Sequence, residues 1–334
     1  MLVDLDELGH HPAFRRLSRV KLSEGAAAFV PCEIGGGEVL IREGESDRAM
    51  ILVLDGEFSV HVGEDLLELT QLGRGSLIGE MTLFGTLDRR SATVVSMRDS
   101  RILLLDAEGL KFLRMKRSPL LYPLETHAMQ GVSTRVRQTN RLIASVALGG
   151  PLPEFEKPSM FGRIFRRAPS PPRPDLLAVL TESMVFRGLP GRLLRWLSEQ
   201  LEPQLVPAGT VVLREGDAPG DAWLVASGCV DVFHTTLRET HERLTRLRDG
   251  HLFGVCGLLD GRKRAATCIA TEPSWLVRVP ASLLPGLEEQ DAVLLNGMRR
   301  ALFNSVAISL RQANSHAEYL RGKLNGHAVD PRFM

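Results

Sequence analysis

Between residues 39 and 105, short apolar segments alternate with turns, several of them glycine-bearing. The segments are Val39 to Arg42, Met50 to Leu54, Phe58 to Val62, Ala92 to Ser96 and Ile102 to Leu105. Short runs spaced so closely predict strands folded back on one another, as in a small β-barrel or jelly roll. Past residue 120 the apolar period lengthens. Leu121, Leu124, Ala128, Val132, Val136, Thr139 and Ile143 step by three or four, which predicts a long amphipathic helix from Pro119 to Leu148. Leu295, Met298, Leu302, Val306, Leu310 and Ala313 predict a second one. Each stripe has three candidate partners: its own barrel, the other half of the chain, or a second chain in a homodimer held by the long helices.

The pattern occurs twice because the sequence does. Phe14-Arg15-Arg16-Leu17 returns as Phe186-Arg187-Gly188-Leu189, and Leu40-Ile41-Arg42-Glu43-Gly44 as Val212-Leu213-Arg214-Glu215-Gly216, both 172 positions later. Asp55-Gly56 returns as Ser227-Gly228 at the same offset. A third block, Ile78-Gly79 through Arg90-Ser91-Ala92-Thr93, returns as Phe253-Gly254 through Arg264-Ala265-Ala266-Thr267, at offsets of 175 falling to 174. Loop insertions account for that drift, so the chain is read as two copies of one domain. Seven prolines between 149 and 175 forbid helix and sheet ladders there and predict a semi-extended linker. The expected organisation is a first domain over 1–148, a linker over 149–175, a second domain over 176–324 and a tail over 325–334, α+β in class and mostly β. A length of 334 residues suits two domains of about 150 residues.

Composition narrows the functional classes. A hydrophobic share of 44% and a charged share of 24% are those of a folded globular chain, and a net charge of +1 offers no global field for nucleic acid. Thirty-five of the forty-one basic residues are arginine, the bias of a GC-rich, bacterial genome. The acidic N-terminus and the lack of a long apolar run predict a cytoplasmic protein with no transmembrane segment. Cys32, Cys229, Cys256 and Cys268 form no CxxC pair and are expected to be buried free thiols; His10-His11 is expected in a solvated loop. No metal-ligand spacing, nucleophile elbow or phosphate loop occurs, so neither a metal site nor an enzyme is expected, and His251 is read as a loop histidine.

The segment from Gly79 to Val94 calls for a chemical explanation. Glycine lets backbone approach a ligand, and Leu83 to Thr86 can form a short helix whose free N–H groups face an anion. Arg90 supplies a guanidinium fork, Ser91 a hydroxyl, and Glu80 an acceptor suited to a sugar hydroxyl. A ligand carrying both a phosphate and a ribose would satisfy them all; the alternative is a plain Glu80–Arg90 ion pair.

The whole string resembles the phosphate-binding cassette of the cyclic nucleotide-binding domain family. The first copy is most similar to the bacterial catabolite activators, whose cassette reads G-E-x-x-L-F, a variable stretch, then R-S-A. Those positions are Gly79, Glu80, Leu83, Phe84, Arg90, Ser91 and Ala92. The resemblance implies a cAMP or cGMP ligand, with Glu80 on the ribose 2′-hydroxyl and Arg90, Ser91 and amides near Leu83 on the cyclic phosphate; Gly79, Met81 and Ala92 complete the set. In the second copy Gly254, Arg264 and Ala265 match, but Val255 replaces the glutamate. An apolar side chain leaves the ribose hydroxyl unpaired at about 1–3 kcal/mol, so weak or no binding is expected there. The remaining alternatives are a different anion drawn by Arg262, Lys263 and Arg264, or Arg264 merely paired with Asp260.

Base identity is less legible. In the activators a Thr-Ser pair on the long helix reads the base; the corresponding place falls near Val136-Arg137, which does not copy it, although Ser133, Thr134, Arg135, Arg137 and Thr139 are close. A hydroxyl at Ser91 is compatible with guanine, and cAMP is favoured over cGMP. Too few residues follow the second long helix for a helix-turn-helix, so no DNA partner is expected. The expectation is a tandem sensor, similar in domain count to kinase regulatory subunits, acting on an unidentified protein partner. Its rival is a ligand-independent scaffold. Arg166-Arg167-Ala168-Pro169-Ser170 only approaches a kinase inhibitory sequence, and the basic-aromatic run Met160 to Arg167 is read as solvated linker.

Overall fold

The computed structural model describes residues 3–153 and 171–324. Most of the expected linker, with its Met160 to Arg167 run, and the 325–334 tail lie outside them. The residues group into two compact units, Met1–Thr139 together with Ala307–Met334, and Asn140–Val306.

The first copy begins with two short helices, α1 (Leu5–His10) and α2 (Arg19–Ser23), started by the side chains of Asp4 and Ser18. Eight strands follow: β1 (Val30–Ile34), β2 (Val39–Ile41), β3 (Ala49–Asp55), β4 (Glu57–Val62), β5 (Leu67–Gly73), β6 (Leu77–Ile78), β7 (Thr93–Ser96) and β8 (Ser100–Asp106). The short helix α3 (Glu80–Phe84) lies between β6 and β7. Two antiparallel sheets result, in the orders β1-β8-β3-β6 and β2-β7-β4-β5. Ile51, Val53, Ile78 and Ile102 from one sheet and Ile41, Phe58, Val60 and Val94 from the other form one buried core. Met50 and Leu52, on the opposite face of β3, are also solvent-free, which is why this inner strand reads as a continuous apolar run. The sheets pack as an open sandwich, so the jelly-roll expectation holds and no barrel closes. Helices α4 (Ala107–Met115), capped by Asp106, and α5 (Leu121–Val146) complete the copy. Of the predicted stripe, Leu124, Ala128, Val132, Val136, Thr139 and Ile143 are buried, while Leu121, the first residue of α5, is only half-buried.

The second copy repeats the plan. After α6 (Leu176–Glu182) and α7 (Gly191–Gln200) come β9 (Pro203–Val206), β10 (Val211–Leu213), β11 (Ala222–Ser227), β12 (Val230–Thr235), β13 (His241–Leu247) and β14 (Leu252–Phe253). Then follow α8 (Val255–Asp260), β15 (Thr267–Ala270), β16 (Ser274–Val279), α9 (Leu283–Gln290) and α10 (Ala292–Leu324). Its sheets run β9-β16-β11-β14 and β10-β15-β12-β13, the order of the first copy strand for strand.

The repeated landmarks are structural clamps. Gly44 and Gly216 sit at φ +85° and +84°, where a β-carbon would be strained. Each turn grips the arginine of its cassette by backbone alone. Gly44 N–H donates to Arg90 O at 2.9 Å and Arg90 N–H to Glu45 O at 2.7 Å; Gly216 and Arg264 N–H do the same with Arg264 O and Asp217 O at 3.1 and 2.9 Å. Phe14 and Phe186 are buried anchors of their cores.

Two expectations change. All four cysteines are free, but only Cys229 and Cys268 are buried; Cys32 and Cys256 are half-buried. His10 is exposed as expected, whereas His11 is 3% exposed, 5.8 Å from the Phe14 ring and 5.5 Å from the edge-on His127 ring. Burial first, then the neighbouring His127, lowers the His11 pKa from 6.5 to about 4. The unfolded chain therefore binds the extra proton first as pH falls, and the stability this histidine contributes is present above 6.5 and lost toward 4. Urea unfolding at pH 7 and pH 5 should show a loss of about 2 kcal/mol from this group, and His11→Gln should remove about that much of the pH dependence.

Candidate functional site

The cassette of the first copy forms the floor of a cleft that opens to solvent. Ile41, Val60, Leu72, Ile78 and Val94 line its apolar wall, while Gly79, Glu80, Met81, Arg90, Ser91 and Ala92 bring the predicted polar groups to one place. Leu83 is buried in α3 and is not among the lining residues. Helix α3 starts at Glu80, three residues ahead of the expected start at Leu83. Gly79 at φ +83° ends β6 and turns the chain directly into the helix, so the free N–H groups are those of the Glu80 turn. A β-carbon at Gly79 would overlap the Arg90 guanidinium and lie 2.7 Å from Ala49 O.

Arg90 is 5% exposed, with four of its five N–H groups engaged. Its NH1 donates to Gly79 O at 3.0 Å, NH2 to Ala49 O at 2.8 Å, and Nε to Asp47 Oδ1 at 2.9 Å, while NH2 also pairs with Asp47 Oδ2. That hydrogen-bonded pairing holds the Asp47 carboxyl below its ordinary value. The Asp47 side chain is half exposed, so this counter-charge sits at the solvent end of the guanidinium. Ser91 Oγ reaches only the Met81 sulfur, at 3.7 Å, a weak acceptor that a better one would displace.

Glu80 does not pair with Arg90. It is 1% exposed, its Oε1 accepts from Arg135 NH2, and its Oε2 has no partner. Arg135 comes from α5, also donates to Leu77 O at 2.9 Å, and lines the cleft with its Nε unpartnered. Burial pushes the Glu80 carboxyl above its ordinary value, opposed by the Arg135 charge and, more weakly, by Arg90. Of the other helix candidates, Thr139 lines the cleft, whereas Ser133 is buried with its hydroxyl unpartnered and outside the lining.

The second cassette keeps the backbone and the arginine but loses the charges that surround it in the first. Gly254 takes φ +76° at the start of α8, and Arg264, 8% exposed, donates to Gly254 O at 3.0 Å and Asp221 O at 2.8 Å. Burial works against its charge, with Cys268, Asp221 and Asp217 opposing that effect. Val255 is 3% exposed in the place of Glu80, and Ala265 follows Arg264 in the place of Ser91. The strand registers align Met50 with Ala222, which puts Pro219 in the place of Asp47. At the 174-residue offset of the two cassette arginines, Arg135 corresponds to Ser309.

Sequence reasoning missed Asp47 and the partnership of Arg135 with Glu80. The signal lay in the repeat itself: Asp47, Glu80 and Arg135 each carry a charge that the second copy replaces with an uncharged residue. No cluster of metal-ligating side chains occurs among the described residues, and no helix there is long and apolar enough to cross a membrane.

Two antiparallel sandwiches, each with a glycine-started helix beside a buried arginine, make this a tandem chain of the jelly-roll class. The profile of the cyclic nucleotide-binding domain matches residues 32–117 and 203–291, more than half of the sequence, and the chain belongs to that family. It is 29% identical over 160 residues to the cyclic AMP receptor protein of Thermus thermophilus, covering 46% of this chain and 74% of that one. It is 24% identical over 242 residues to isozyme 1 of the cGMP-dependent protein kinase of Drosophila melanogaster, covering 72% of this chain but 25% of the kinase. Among solved structures, the regulatory domain of Toxoplasma gondii PKA with cAMP aligns at a TM-score of 0.32 and 16% identity, over 87% of this chain and 92% of that one.

Breaking the Glu80–Arg135 pair from one side leaves a buried charge uncompensated. Arg135→Met should lower stability by about 3 kcal/mol or more, and Glu80→Gln combined with Arg135→Met should recover most of the loss in a urea double-mutant cycle.

Proposed function

We propose that the chain is a cyclic-nucleotide sensor whose first copy binds the ligand. The observation that carries this reading is the orphaned Oε2 of Glu80, a buried acceptor lining the same cleft as Arg90. A ribose 2′-hydroxyl donating to that oxygen would satisfy it. The cyclic phosphate takes up the Arg90 guanidinium, the Ser91 hydroxyl and the amides at the start of α3, with Asp47 yielding part of its hold on Arg90. Pairing of the other charges within the protein would also suit a ligand-independent scaffold, but a scaffold gives the unpaired carboxylate oxygen no role.

The signal leaves through Arg135. Because one guanidinium joins Glu80 to α5, a ligand that changes the charge or position of Glu80 changes the restraint on that helix. The ligand shifts the helix equilibrium only by its differential affinity for the two helix positions. The moved helix acts on a protein partner; neither catalysis nor DNA binding is part of the proposal.

The second copy is proposed as a site of weak or no binding. Val255 offers no acceptor for a ribose, and Pro219 and Ser309 remove the residues that balance the charges of the first site.

Calorimetry of the full chain with cAMP and with cGMP tests the reading. Arg90→Ala should weaken binding about 100-fold, the loss of charge-assisted bonds to phosphate; no heat with either nucleotide, or undiminished heat from the variant, overturns it. Val255→Glu alone should lower stability without adding a binding event, since it introduces a carboxylate without its arginine. Val255→Glu combined with Ser309→Arg should add a second event in the same titration.

A further inference from the structure

One corner of the first unit concentrates positive charge in a chain that is nearly neutral overall. The segment 12–24 packs on the corner between α4 and α5: the neighbouring His11 ring lies 5.5 Å from that of His127 on α5, and a β-carbon at Gly25 would lie 2.5 Å from Ser118 Oγ and 3.0 Å from the Leu113 and Leu120 side chains. Leu22 of α2 and Leu110 and Leu113 of α4 are buried. From the first segment Arg15, Arg16, Arg19 and Lys21 are left exposed. From the second it is Lys111, Arg114, Lys116 and Arg117. Segments 12–24 and 108–126 together hold these eight cations and three carboxylates, a net of +5 in a chain whose total is +1. Arg19 pairs with Asp6 and Lys111 with Glu108, the latter at 3.5 Å, surface pairs that are individually weak. Among the cations stand apolar side chains: Val20 on α2 and Met115 at the end of α4, 71% and 69% exposed, and the half-exposed Tyr122 in the first turn of α5.

The second copy builds the same fold without this charge. At the 174-residue offset Lys111, Arg114, Lys116 and Arg117 correspond to Pro285, Glu288, Gln290 and Asp291, so that 108–117 carries a net of +3 and 282–291 a net of −3. At the 172-residue offset Lys21 corresponds to the buried Leu193. We propose that the basic corner of the first copy docks on an anionic phospholipid membrane. Lysine and arginine are drawn to the headgroup charges while they lie within a Debye length of the surface, and exposed valine, methionine and tyrosine side chains enter the interface among them. The apolar side chains lie on three different elements instead of one i, i+4 stripe, which suits a bilayer interface and gives a partner helix no face to pack along. Nucleic acid would take up the cations and gain nothing from Val20 and Met115. None of these residues lines the cleft, so the proposal stands apart from the nucleotide reading.

The test is co-sedimentation of the full chain with vesicles of phosphatidylcholine alone and of phosphatidylcholine with about one third phosphatidylserine. The chain should bind the anionic vesicles, leave the neutral ones unbound, and be released from the former when salt rises from about 0.1 M to about 1 M. Lys21→Gln, Lys116→Gln and Arg117→Gln combined should lower binding about 100-fold. Val20→Ser combined with Met115→Ser should lower it about 10-fold at unchanged charge. Both variants should keep the wild-type urea midpoint. Arg187→Gln, Arg192→Gln and Arg195→Gln combined, an equal loss of charge from the second copy, should leave binding within about twofold of wild type. Equal binding to the two kinds of vesicle, no binding to either, or equal losses from the two triple variants overturns the proposal. So does wild-type binding by the Val20 and Met115 variant, or tighter binding to duplex DNA or polyglutamate than to the anionic vesicles, which would make the corner a site for a different polyanion.

Discussion

A carboxylate with almost no solvent contact can stay in a folded protein only if something answers for its charge. Glu80 is answered chiefly by the guanidinium of Arg135, reaching it from α5, and more weakly by the backbone and by Arg90. Much of the first site follows from that constraint. It fixes where α5 stands over the cassette, because Arg135 must meet both Glu80 and the Leu77 carbonyl. It leaves one carboxylate oxygen without a partner in the cleft. It also makes the site and the helix mechanically inseparable.

The two copies separate the features they share as a fold from the charges that only the first carries. Both keep the left-handed glycines, the backbone clamp on the cassette arginine and the strand order, features that shape a sandwich whether or not anything binds. The first alone keeps Asp47, Glu80 and Arg135, whose charges cost desolvation and contribute nothing to an apolar core. In the second copy these become Pro219, Val255 and Ser309, residues that can be buried or exposed at little cost. The asymmetry is therefore chemical, on a common backbone.

Much of this was legible in the sequence. Five strands of the first copy, β2, β3, β4, β7 and β8, fell where short apolar runs placed them, whereas β1, β5 and β6, less uniformly apolar or only two residues long, were not picked out; the helical stripe from Leu124 to Ile143 was right because a 3.6-residue period leaves few alternatives. The cassette residues were legible because they are contiguous, so the local pattern carried them. What remained hidden was long-range. Arg135 lies 55 positions from Glu80 and Asp47 lies 43 from Arg90, and spacing gives no sign of who pairs with whom at such separations. His11 was misjudged for the same reason: the Phe14 and His127 rings that enclose it come together only in the fold. The helix start was missed by three residues because a single left-handed glycine, not a capping side chain, begins it.

The composition of the first unit has a bearing on how the molecule is made. Its residues end at Thr139 and resume at Ala307, with the whole of the second unit encoded between them. At the ordinary pace of translation that interval lasts about ten to thirty seconds. Throughout it the nascent first sandwich exists without Leu310 and Asn314, its cleft open on the side those residues line. That side of the cleft is thus completed last, after the whole of the second unit has been synthesised, and a stalled or prematurely terminated chain would lack it.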